Sequence, residues 1–405
     1  MESINNKAED LLYAWNEKLP LKPGGFLLVD DTLRDGLQAP HITTPNFAEK
    51  LKLIDQMEKN RIDVCIAHYP AASSIATAQS QVMVEYVENK DYDIILAFAG
   101  RTIISDLAPM VELQKIAKKQ LIAYAFVGCS PIRQYVEGWD LQTIETYITD
   151  SAVYLKTNGL KPVAVFEDAT RARPDDLRRL FTASLEAGAE GICLADTVGY
   201  IEPSGVRAIM EFARSVAGDD VTLEWHGHDD RGLAVANALT ALACGANTIH
   251  ATSLGIGERA GNLCLEQFLI NLYLNGNGNT DISQLCGYAE LTSQFLNVPI
   301  PGTTPGIGKS VFTTGTGVHA AAVYKALQNN EAEIADLVYS SIPARQLGRS
   351  LDIEIGPMSG RANILAKCNS IGLACTEEQL SAVFNAAKRS VRILTENEIL
   401  EIMNL

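Results

Sequence analysis

GFLLVDDT at residues 25–32 is the first of eight short apolar stretches, rich in β-branched residues, in the first 275 residues of the chain. The others are IDVCIA (62–67), DIILAFA (93–99), LIAYAFV (121–127), PVAVFE (162–167), GICLA (191–195), VTLEWH (221–226) and NTIHATS (247–253). Segments with apolar residues at helical spacing lie between them. These segments are 47–59, 104–118, 141–158, 174–187, 203–216, 231–244 and 263–274. Alternating strands and helices predict a parallel sheet. Eight repeats in about 250 residues favour a (β/α)8 TIM barrel, with a doubly wound sheet as the alternative.

The composition changes after residue 275. NGNGNTDIS (275–283) and VPIPGTTPGIGKS (298–310) are typical of loops or linkers. Further helical patterns lie at 283–296, 317–328, 331–338, 344–349 and 377–390. We therefore predict a barrel at 1–275 and a mainly helical C-terminal appendage of two small subdomains, linker subdomain I at 276–330 and subdomain II at 331–405.

Charge and composition exclude several classes of protein. The net charge is −16, from 49 acidic and 33 basic residues, which argues against a nucleic-acid partner because such binding rests on clustered Lys and Arg. The eight cysteines form no C-x-x-C pair, so zinc-ribbon and thioredoxin motifs are excluded. MESINNKAED has no pattern of a signal peptide, and no apolar run approaches the roughly 18–20 residues that span a bilayer. We expect a cytoplasmic protein without a membrane partner.

Polar residues gather at the ends of six of the eight predicted strands. Active sites of TIM barrels lie at the C-terminal strand ends and in the loops that follow. The residues at these positions are Asp31, Arg34, Asp35, Gln38, Arg101, Glu167, Asp168, Asp196, Thr197, His226, His228, Asp229, Ser253, Glu258, Arg259 and Asn262.

His226 and His228 follow the seventh predicted strand. Residues two apart on a strand share a face, so both imidazoles can bind one ion, with Asp35 as a third ligand from across the barrel. Such a set leaves open coordination positions, as a catalytic site requires, and suits zinc, manganese, cobalt or magnesium. A hydrogen-bonded pair of structural histidines is the alternative.

Two loops carry further candidates. Arg34 in DTLRDGLQ (31–38) would stabilise an enolate or alkoxide beside a metal, although Asp35 next to a glycine is also typical of a structural turn. LGIGERAGN (254–262) is not G-x-G-x-x-G and follows the eighth strand, which excludes a dinucleotide site. We expect Gly255 and Gly257, with Glu258, to allow close approach to substrate or coenzyme A.

Five barrel motifs resemble the DRE-TIM metallolyase superfamily, and more narrowly the isopropylmalate, citramalate and homocitrate synthases. They are DTLRDGLQ, EDATR (167–171), ADTVGY (195–200), HGHDDRGLAVAN (226–237) and GIGERAGN (255–262). The likeness extends to TGTGVHAAAVYK (314–325) and YSSIPARQLGRSLDIEIGPMSGRANI (339–364) in the appendage. It covers about residues 25–370.

The resemblance implies roles in metal and substrate binding. Asp35, His226 and His228 would be the metal ligands, with Asn262 as a weaker or water-mediated contact. Arg34 would polarise the keto oxygen of a 2-oxo acid. Thr197 would hydrogen-bond its carboxylate.

The resemblance also implies a base for acetyl-CoA. His319, supplied in this family by the neighbouring subunit and paired with Glu167, is the candidate, and Tyr324 is an additional contact. The resemblance therefore also implies a homodimer, in which the appendage of one subunit reaches the active site of its partner. A buried core histidine at a helix start and a structural strand-end carboxylate are the alternatives for His319 and Glu167.

The second strand departs from the family pattern. Family members usually have Glu-Val-Gly-Phe-Pro where this chain has Ile66-Ala67-His68-Tyr69-Pro70. We place His68 and Tyr69 in the substrate pocket, together with Arg101 and Gln38. His68 either binds a second carboxylate or narrows the pocket.

The activity that the resemblance implies is condensation of acetyl-CoA with a 2-oxo acid, followed by thioester hydrolysis. We expect 2-oxoisovalerate first, which would give 2-isopropylmalate in leucine biosynthesis. The alternatives are a citramalate, homocitrate or Re-type citrate synthase, an acyl-CoA lyase, and a non-catalytic binding module. The lyase branch has a cysteine in the glycine loop, which 254–262 lacks. The chain stops at Leu405, so we expect no feedback through the C-terminal regulatory domain of longer members.

Overall fold

A computed structural model describes residues 10–13, 15–20, 25–276 and 281–404. Residues 1–9 of the N-terminal stretch and 277–280 of the predicted linker lie outside the described residues. The chain divides into two compact units. One comprises Lys18–Leu272 and Gly287–Pro299, and the other comprises Tyr273–Cys286, Ile300–Leu405 and part of the first 17 residues.

The first unit is a closed barrel of eight parallel strands in sequential order, so the TIM-barrel prediction is confirmed and the doubly wound alternative is wrong. Every strand overlaps its predicted stretch. The strands are β1 Leu27–Asp30, β2 Val64–His68, β3 Ile95–Arg101, β4 Ile122–Gly128, β5 Lys161–Glu167, β6 Gly191–Asp196, β7 Thr222–Gly227 and β8 Thr248–Ala251. Pairing of β1 with β8, which aligns Val29 with His250, closes the barrel.

Helices lie between the strands and continue beyond the last one. They are α1 Phe47–Lys59, α2 Ser74–Lys90, α3 Ile104–Ile116, α4 Pro131–Glu137, α5 Leu141–Thr157, α6 Pro174–Glu186, α7 Pro203–Ala217, α8 Ala234–Ala243, α9 Leu265–Leu274 and α10 Leu285–Leu296. The sequence patterns did not predict α2 or α4. In α2, the apolar residues Ile75 and Val82 are exposed (68% and 43%). The apolar residues of this helix are therefore not confined to one face, which is the pattern that indicates a barrel helix.

Alternation along the strands separates core from surface. The residues that face the barrel interior form one apolar cluster, whose members include Val29, Val64, Ala97, Tyr124 and Val163. Further along the same alternation, the positions become polar at Asp31 after β1, at Arg101 on β3 and at Glu167 on β5. The site therefore lies above a packed core, at the carboxyl ends of the strands.

The second unit is mainly helical. Its elements after the barrel are β9 Thr313–Thr314, α11 Gly317–Gln328, α12 Ala332–Leu337, β10 Asp352–Ile353, α13 Arg361–Ser370, α14 Glu377–Arg389 and α15 Glu396–Ile402. The helix predicted at 344–349 is a 3-10 helix, Ala344–Leu347, which ends at Gly348 with a φ of 66°. Two apolar clusters form the core of the second unit. One surrounds Ala320, Val323 and Ala335, and the other surrounds Ile364, Leu380 and Val383.

The predicted boundary at residue 275 lies close to the division between Leu272 and Tyr273, but 287–299 belongs to the barrel unit instead of linker subdomain I. Among the described residues, the structure contains no helix that is both long and apolar enough to cross a membrane.

Candidate metal and active site

His226 and His228 lie at the end of β7 with their side chains on the same side. His226 is aligned with Ala195 of β6, and His228 forms an antiparallel bridge with Asn262. Their ring centroids are 5.3 Å apart. As the sequence predicted from strand alternation, the two imidazoles share one face.

Asp35 meets both histidines from the turn after β1. Its Oδ2 atom lies 3.6 Å from His226 Nε2 and 3.7 Å from His228 Nε2. The ligand atoms of all three residues lie within 4.8 Å of one another, and all three side chains are buried. An ion bound at about 2 Å from each ligand accommodates donor separations of this size. The structure brings the three predicted ligands together.

The donor set also fits a divalent metal in its chemistry. Asn262 donates its Nδ2 hydrogen to Asp35 Oδ2 at 2.8 Å, while its Oδ1 atom and His228 Nδ1 are buried without a hydrogen-bond partner among the described residues. Buried polar atoms normally have a partner, so the unpartnered Asn262 oxygen beside three ligands indicates room for an ion or its water. Asp31, His226 and His250 form an overlapping group of the same kind.

The protonation states suit metal binding. Burial opposes ionisation of Asp35, but the charge of Arg34 and the hydrogen bond with His226 outweigh it and hold the pKa of this carboxyl well below its usual range. Burial, together with the nearby His226, lowers the pKa of His228 to about 4. An anionic carboxylate and a neutral imidazole at neutral pH are the forms that ligate metals.

Arg34 is fixed between two carboxylates. Its Nη1 atom lies 3.0 Å from Asp35 Oδ1, and its Nε donates to Asp31 Oδ1 at 3.0 Å. Asp31 Oδ2 in turn lies 3.8 Å from His226 Nδ1. Asp31, which the sequence analysis placed at this end of the barrel without a role, therefore orients both Arg34 and a candidate ligand, as carboxylates commonly do beside metal-binding histidines.

A cavity of about 280 Å³ opens at this cluster. Eight of the predicted site residues line it: Arg34, Asp35, Gln38, Glu167, Thr197, His226, His228 and Glu258. Its apolar wall consists of Ile66, Ala99, Phe126, Val165 and Ala195, and Tyr124, Cys193, His250 and Arg259 complete the lining.

Glu167 and Thr197 contribute polar groups to this cavity. Burial raises the pKa of Glu167, although the charges of Arg133 and Arg34 oppose the shift. Thr197 Oγ1 accepts the backbone N–H of Asp168 at 2.8 Å. The hydroxyl proton of Thr197 is therefore left to point to another acceptor.

Three residues predicted for the substrate pocket are absent from this lining among the described residues. Arg101 Nε donates to Asp106 Oδ2 at 2.6 Å and to Tyr69 Oη at 3.1 Å, and Tyr69 also hydrogen-bonds Asp106. His68 Nε2 lies 3.5 Å from Lys50 Nζ, and burial with the Lys50 charge lowers the pKa of His68 to about 4. Their role in substrate binding stays a prediction.

The glycines after β8 allow the loop to approach Asn262. A Cβ atom on Gly257 would lie 2.1 Å from Asn262 Nδ2, and one on Gly261, where φ is 96°, would lie 1.9 Å from the carbonyl oxygen of Gly255. The contact that these glycines permit in the structure is therefore with the loop itself. Their predicted contact with coenzyme A stays a prediction.

A second polar pair lies in the barrel interior. His250 Nε2 and Glu224 Oε2 are 2.8 Å apart, and both side chains are only 3% exposed. The His250 ring packs edge-on against Tyr124 (5.2 Å) and His226 (5.4 Å). The sequence analysis missed this pair. The one signal for it was an acidic residue inside the apolar stretch VTLEWH (221–226), two positions before His226.

His319 and Tyr324 belong to the second unit, on α11. His319 is exposed, and its ring stacks on Tyr339 with centroids 3.9 Å apart. Tyr324 Oη accepts a hydrogen bond from Asn369 Nδ2 at 3.1 Å. Their part in catalysis stays a prediction.

Comparisons with known proteins identify the family of this chain. The HMGL-like family model matches residues 26–292. The chain is 30% identical over 371 residues to the 2-isopropylmalate synthase of Shouchella clausii, covering 89% of this chain and 69% of that protein. It is 31% identical to the 2-isopropylmalate synthase of Solidesulfovibrio magneticus, and the match covers 91% of this chain and 72% of that protein.

A Methanopyrus kandleri protein assigned as an (R)-citramalate synthase is 28% identical, over 91% of this chain and 69% of that protein. Among solved structures, the HMG-CoA lyase of Bacillus subtilis superposes with a TM-score of 0.60 at 18% identity, covering 70% of this chain and 97% of the lyase. At that identity the match supports the fold alone. The predicted superfamily is thus confirmed, and the chain belongs to the HMGL-like family of DRE-TIM barrels.

Proposed function

We propose that this protein condenses acetyl-CoA with a 2-oxo acid and releases coenzyme A by thioester hydrolysis. The observation that carries the proposal is the Asp35, His226 and His228 cluster at a cavity of about 280 Å³. The names of the relatives support the same class of reaction. A divalent metal held by these three residues would supply positive charge that polarises the keto group of the 2-oxo acid.

Arg34 and Thr197 suit the two oxygen-bearing groups of that substrate. The guanidinium of Arg34 lines the cavity beside Asp35, where it can stabilise negative charge that develops on the keto oxygen. Thr197 has its hydroxyl proton free to donate, because its oxygen already accepts the amide of Asp168. A substrate carboxylate is the acceptor that we assign to it.

The lining of the cavity favours an aliphatic monocarboxylic 2-oxo acid. Its apolar wall suits a branched side chain. Of the described lining residues, the cationic ones are Arg34 and Arg259, and Arg259 is held by Asp230 at 2.8 Å. A second substrate carboxylate would thus lack a free cationic partner, so 2-oxoisovalerate is our first candidate, ahead of 2-oxoglutarate and oxaloacetate.

The proposed reaction also needs a base that removes a proton from the methyl group of acetyl-CoA. We assign it to His319, supplied by the partner in a homodimer, with Glu167 and its raised pKa as the carboxylate that increases the basicity of the imidazole. A positioned base typically contributes 10²–10⁴-fold. Tyr324 is assigned as an additional contact.

The test is release of free thiol from acetyl-CoA with a panel of 2-oxo acids. The protein is stripped with a chelator and reloaded with zinc, manganese, cobalt or magnesium before each series. We expect metal-dependent release with the highest kcat/KM for 2-oxoisovalerate. Higher kcat/KM for pyruvate would overturn only the substrate choice.

Cleavage of hydroxymethylglutaryl-CoA in a parallel assay is the control for the lyase alternative. Efficient cleavage with no condensation of any 2-oxo acid would refute the proposed reaction. A protein that binds no metal and turns over neither substrate would support the binding-module alternative.

A further inference from the structure

Three adjacent strands of the barrel carry a second group of side chains that can ligate a metal. Cys193 on β6 is paired in register with Glu224 on β7, and Glu224 is paired with Thr248 on β8. His250 follows Thr248 by two residues and therefore lies on the same face of β8. The strand register thus places a thiol, a carboxylate and an imidazole side by side.

These three side chains converge inside the barrel. One ligand atom from each residue lies within 4.8 Å of the other two, and Cys193, Glu224 and His250 are only 1%, 2% and 3% exposed. His250 Nε2 and Glu224 Oε2 are 2.8 Å apart. Nitrogen and oxygen ligands of a tetrahedral ion at about 2.0–2.1 Å are separated by about 3.3 Å. An ion therefore requires this pair to open by only about half an ångström.

The group lies one layer below the Asp35, His226 and His228 cluster. On β7, Glu224 precedes His226 by two residues. On β6, Cys193 likewise precedes by two residues the position that is paired with His226. Successive inward positions along a strand are about 6–7 Å apart, and the two groups have no residue in common. Both can therefore be occupied at the same time.

The cavity gives an ion access to this lower layer. Cys193 and His250 both line the cavity of about 280 Å³, and through it the thiol proton of Cys193 can leave to solvent when a metal binds. His250 Nδ1 is buried without a hydrogen-bond partner among the described residues. The ring proton can thus reside on Nδ1 while Nε2, the nitrogen that faces Glu224, binds the metal.

We propose that Cys193, Glu224 and His250 bind a second divalent metal ion, distinct from the one in the proposed catalytic site. A thiolate beside an imidazole favours zinc or cobalt over magnesium, and three protein ligands leave a position for water from the cavity. The ion joins β6, β7 and β8 and offsets the charge of a carboxylate that is buried in the barrel. The proposal does not depend on which reaction the protein catalyses.

The first test measures how much zinc the full chain binds. The protein is kept reduced with a phosphine, stripped with a chelator, loaded with zinc and freed of excess metal by gel filtration before its zinc is measured by mass spectrometry. We expect two zinc ions per chain in the wild type and one in Cys193→Ala. Cys65→Ala is the matched control and should keep two, because Cys65 is also buried on a barrel strand but belongs to none of the candidate ligand groups of the described residues. One ion per chain in the wild type and in Cys193→Ala alike would overturn the proposal.

Cobalt tests the sulfur ligand directly. A thiolate bound to cobalt(II) gives a charge-transfer band in the near ultraviolet, whereas the Asp35, His226 and His228 cluster offers no sulfur. The band should appear in the wild type and persist in His228→Ala, which impairs that cluster alone. It should be absent from Cys193→Ala and from Cys193→Ser, which is closer to cysteine in size.

The outcomes separate this site from the proposed function. No thiolate band in the wild type at saturating cobalt, or a band that survives in Cys193→Ala, would refute the second metal site. A wild-type protein that shows the band and binds two zinc ions, but releases no thiol from acetyl-CoA with any 2-oxo acid, would support the second site and refute the proposed reaction instead.

Discussion

Asn262 donates a hydrogen bond to Asp35 at 2.8 Å, although the two residues are 227 positions apart in the chain. The accepting atom, Oδ2, is the same oxygen that lies 3.6 Å from His226 and 3.7 Å from His228. The amide therefore determines which carboxylate oxygen faces the two imidazoles. Partners of this kind orient metal ligands without replacing them.

Asn262→Ala should weaken metal binding by roughly 10–100-fold, because Asp35 loses the group that orients it. His228→Ala should weaken binding further, since it removes a ligand. Zinc affinity measured by competition with a chelating dye checks both values. His68→Ala, which removes a histidine outside the ligand group, is the control and should leave zinc affinity unchanged. Unaltered affinity in Asn262→Ala would contradict the role of the amide.

The loop after β8 should tolerate no side chain at Gly261. A methyl group there would meet the Gly255 carbonyl at 1.9 Å in a backbone with φ of 96°, whereas Gly232 has a φ of 69° and no heavy atom within 4 Å of the position that a Cβ would take. We expect Gly232→Ala to cost about 1–2 kcal/mol from conformation alone, and Gly261→Ala to cost clearly more. Urea unfolding of the two variants measures the difference. Equal losses would mean that the loop relaxes around the added methyl group.

The barrel was predictable because each strand is a short apolar stretch between amphipathic segments. The inward polar positions were predictable for the same reason, since strand ends in a parallel barrel converge. That rule places His226, His228 and Asp35 at the same end of the barrel, and the family resemblance implied that the three share one metal. The helix α2 was not predictable, because Ile75 and Val82 expose apolar side chains that break its pattern.

Pairings between side chains from different loops could not be predicted. Arg101 was a cavity candidate because it ends β3, but Asp106 on α3 binds its guanidinium at 2.6 Å. Periodicity places a residue on a face and gives no information about which partner a long side chain reaches. The burial of Glu224 was missed for a related reason, since its compensating partner His250 is on the next strand.

Glu224→Leu should destabilise the fold by about 3 kcal/mol, because it leaves the buried His250 without its partner. Glu202→Leu is the matched control, since Glu202 and Arg231 are 60% and 47% exposed and such a pair contributes about 0–1 kcal/mol. The free energy of unfolding in urea at pH 7 compares the two. The double variant Glu224→Leu with His250→Leu should be more stable than Glu224→Leu alone, and a further loss would contradict the role of this pair.

Asp30 should make stability fall as the pH rises from about 4 to 6. Burial raises its pKa from 3.8 to about 6, although hydrogen bonds from Thr32 and Tyr288 oppose the shift. The folded state then binds more protons than the unfolded state within this window, so the free energy of unfolding decreases with pH and levels off above it. A shift of this size corresponds to about 3 kcal/mol. Asp30→Asn cannot titrate, so urea unfolding from pH 4 to 8 should show the difference in stability moving in favour of the variant up to about pH 6 and then staying constant. A difference that does not change across this range would show that Asp30 ionises without penalty in the folded protein.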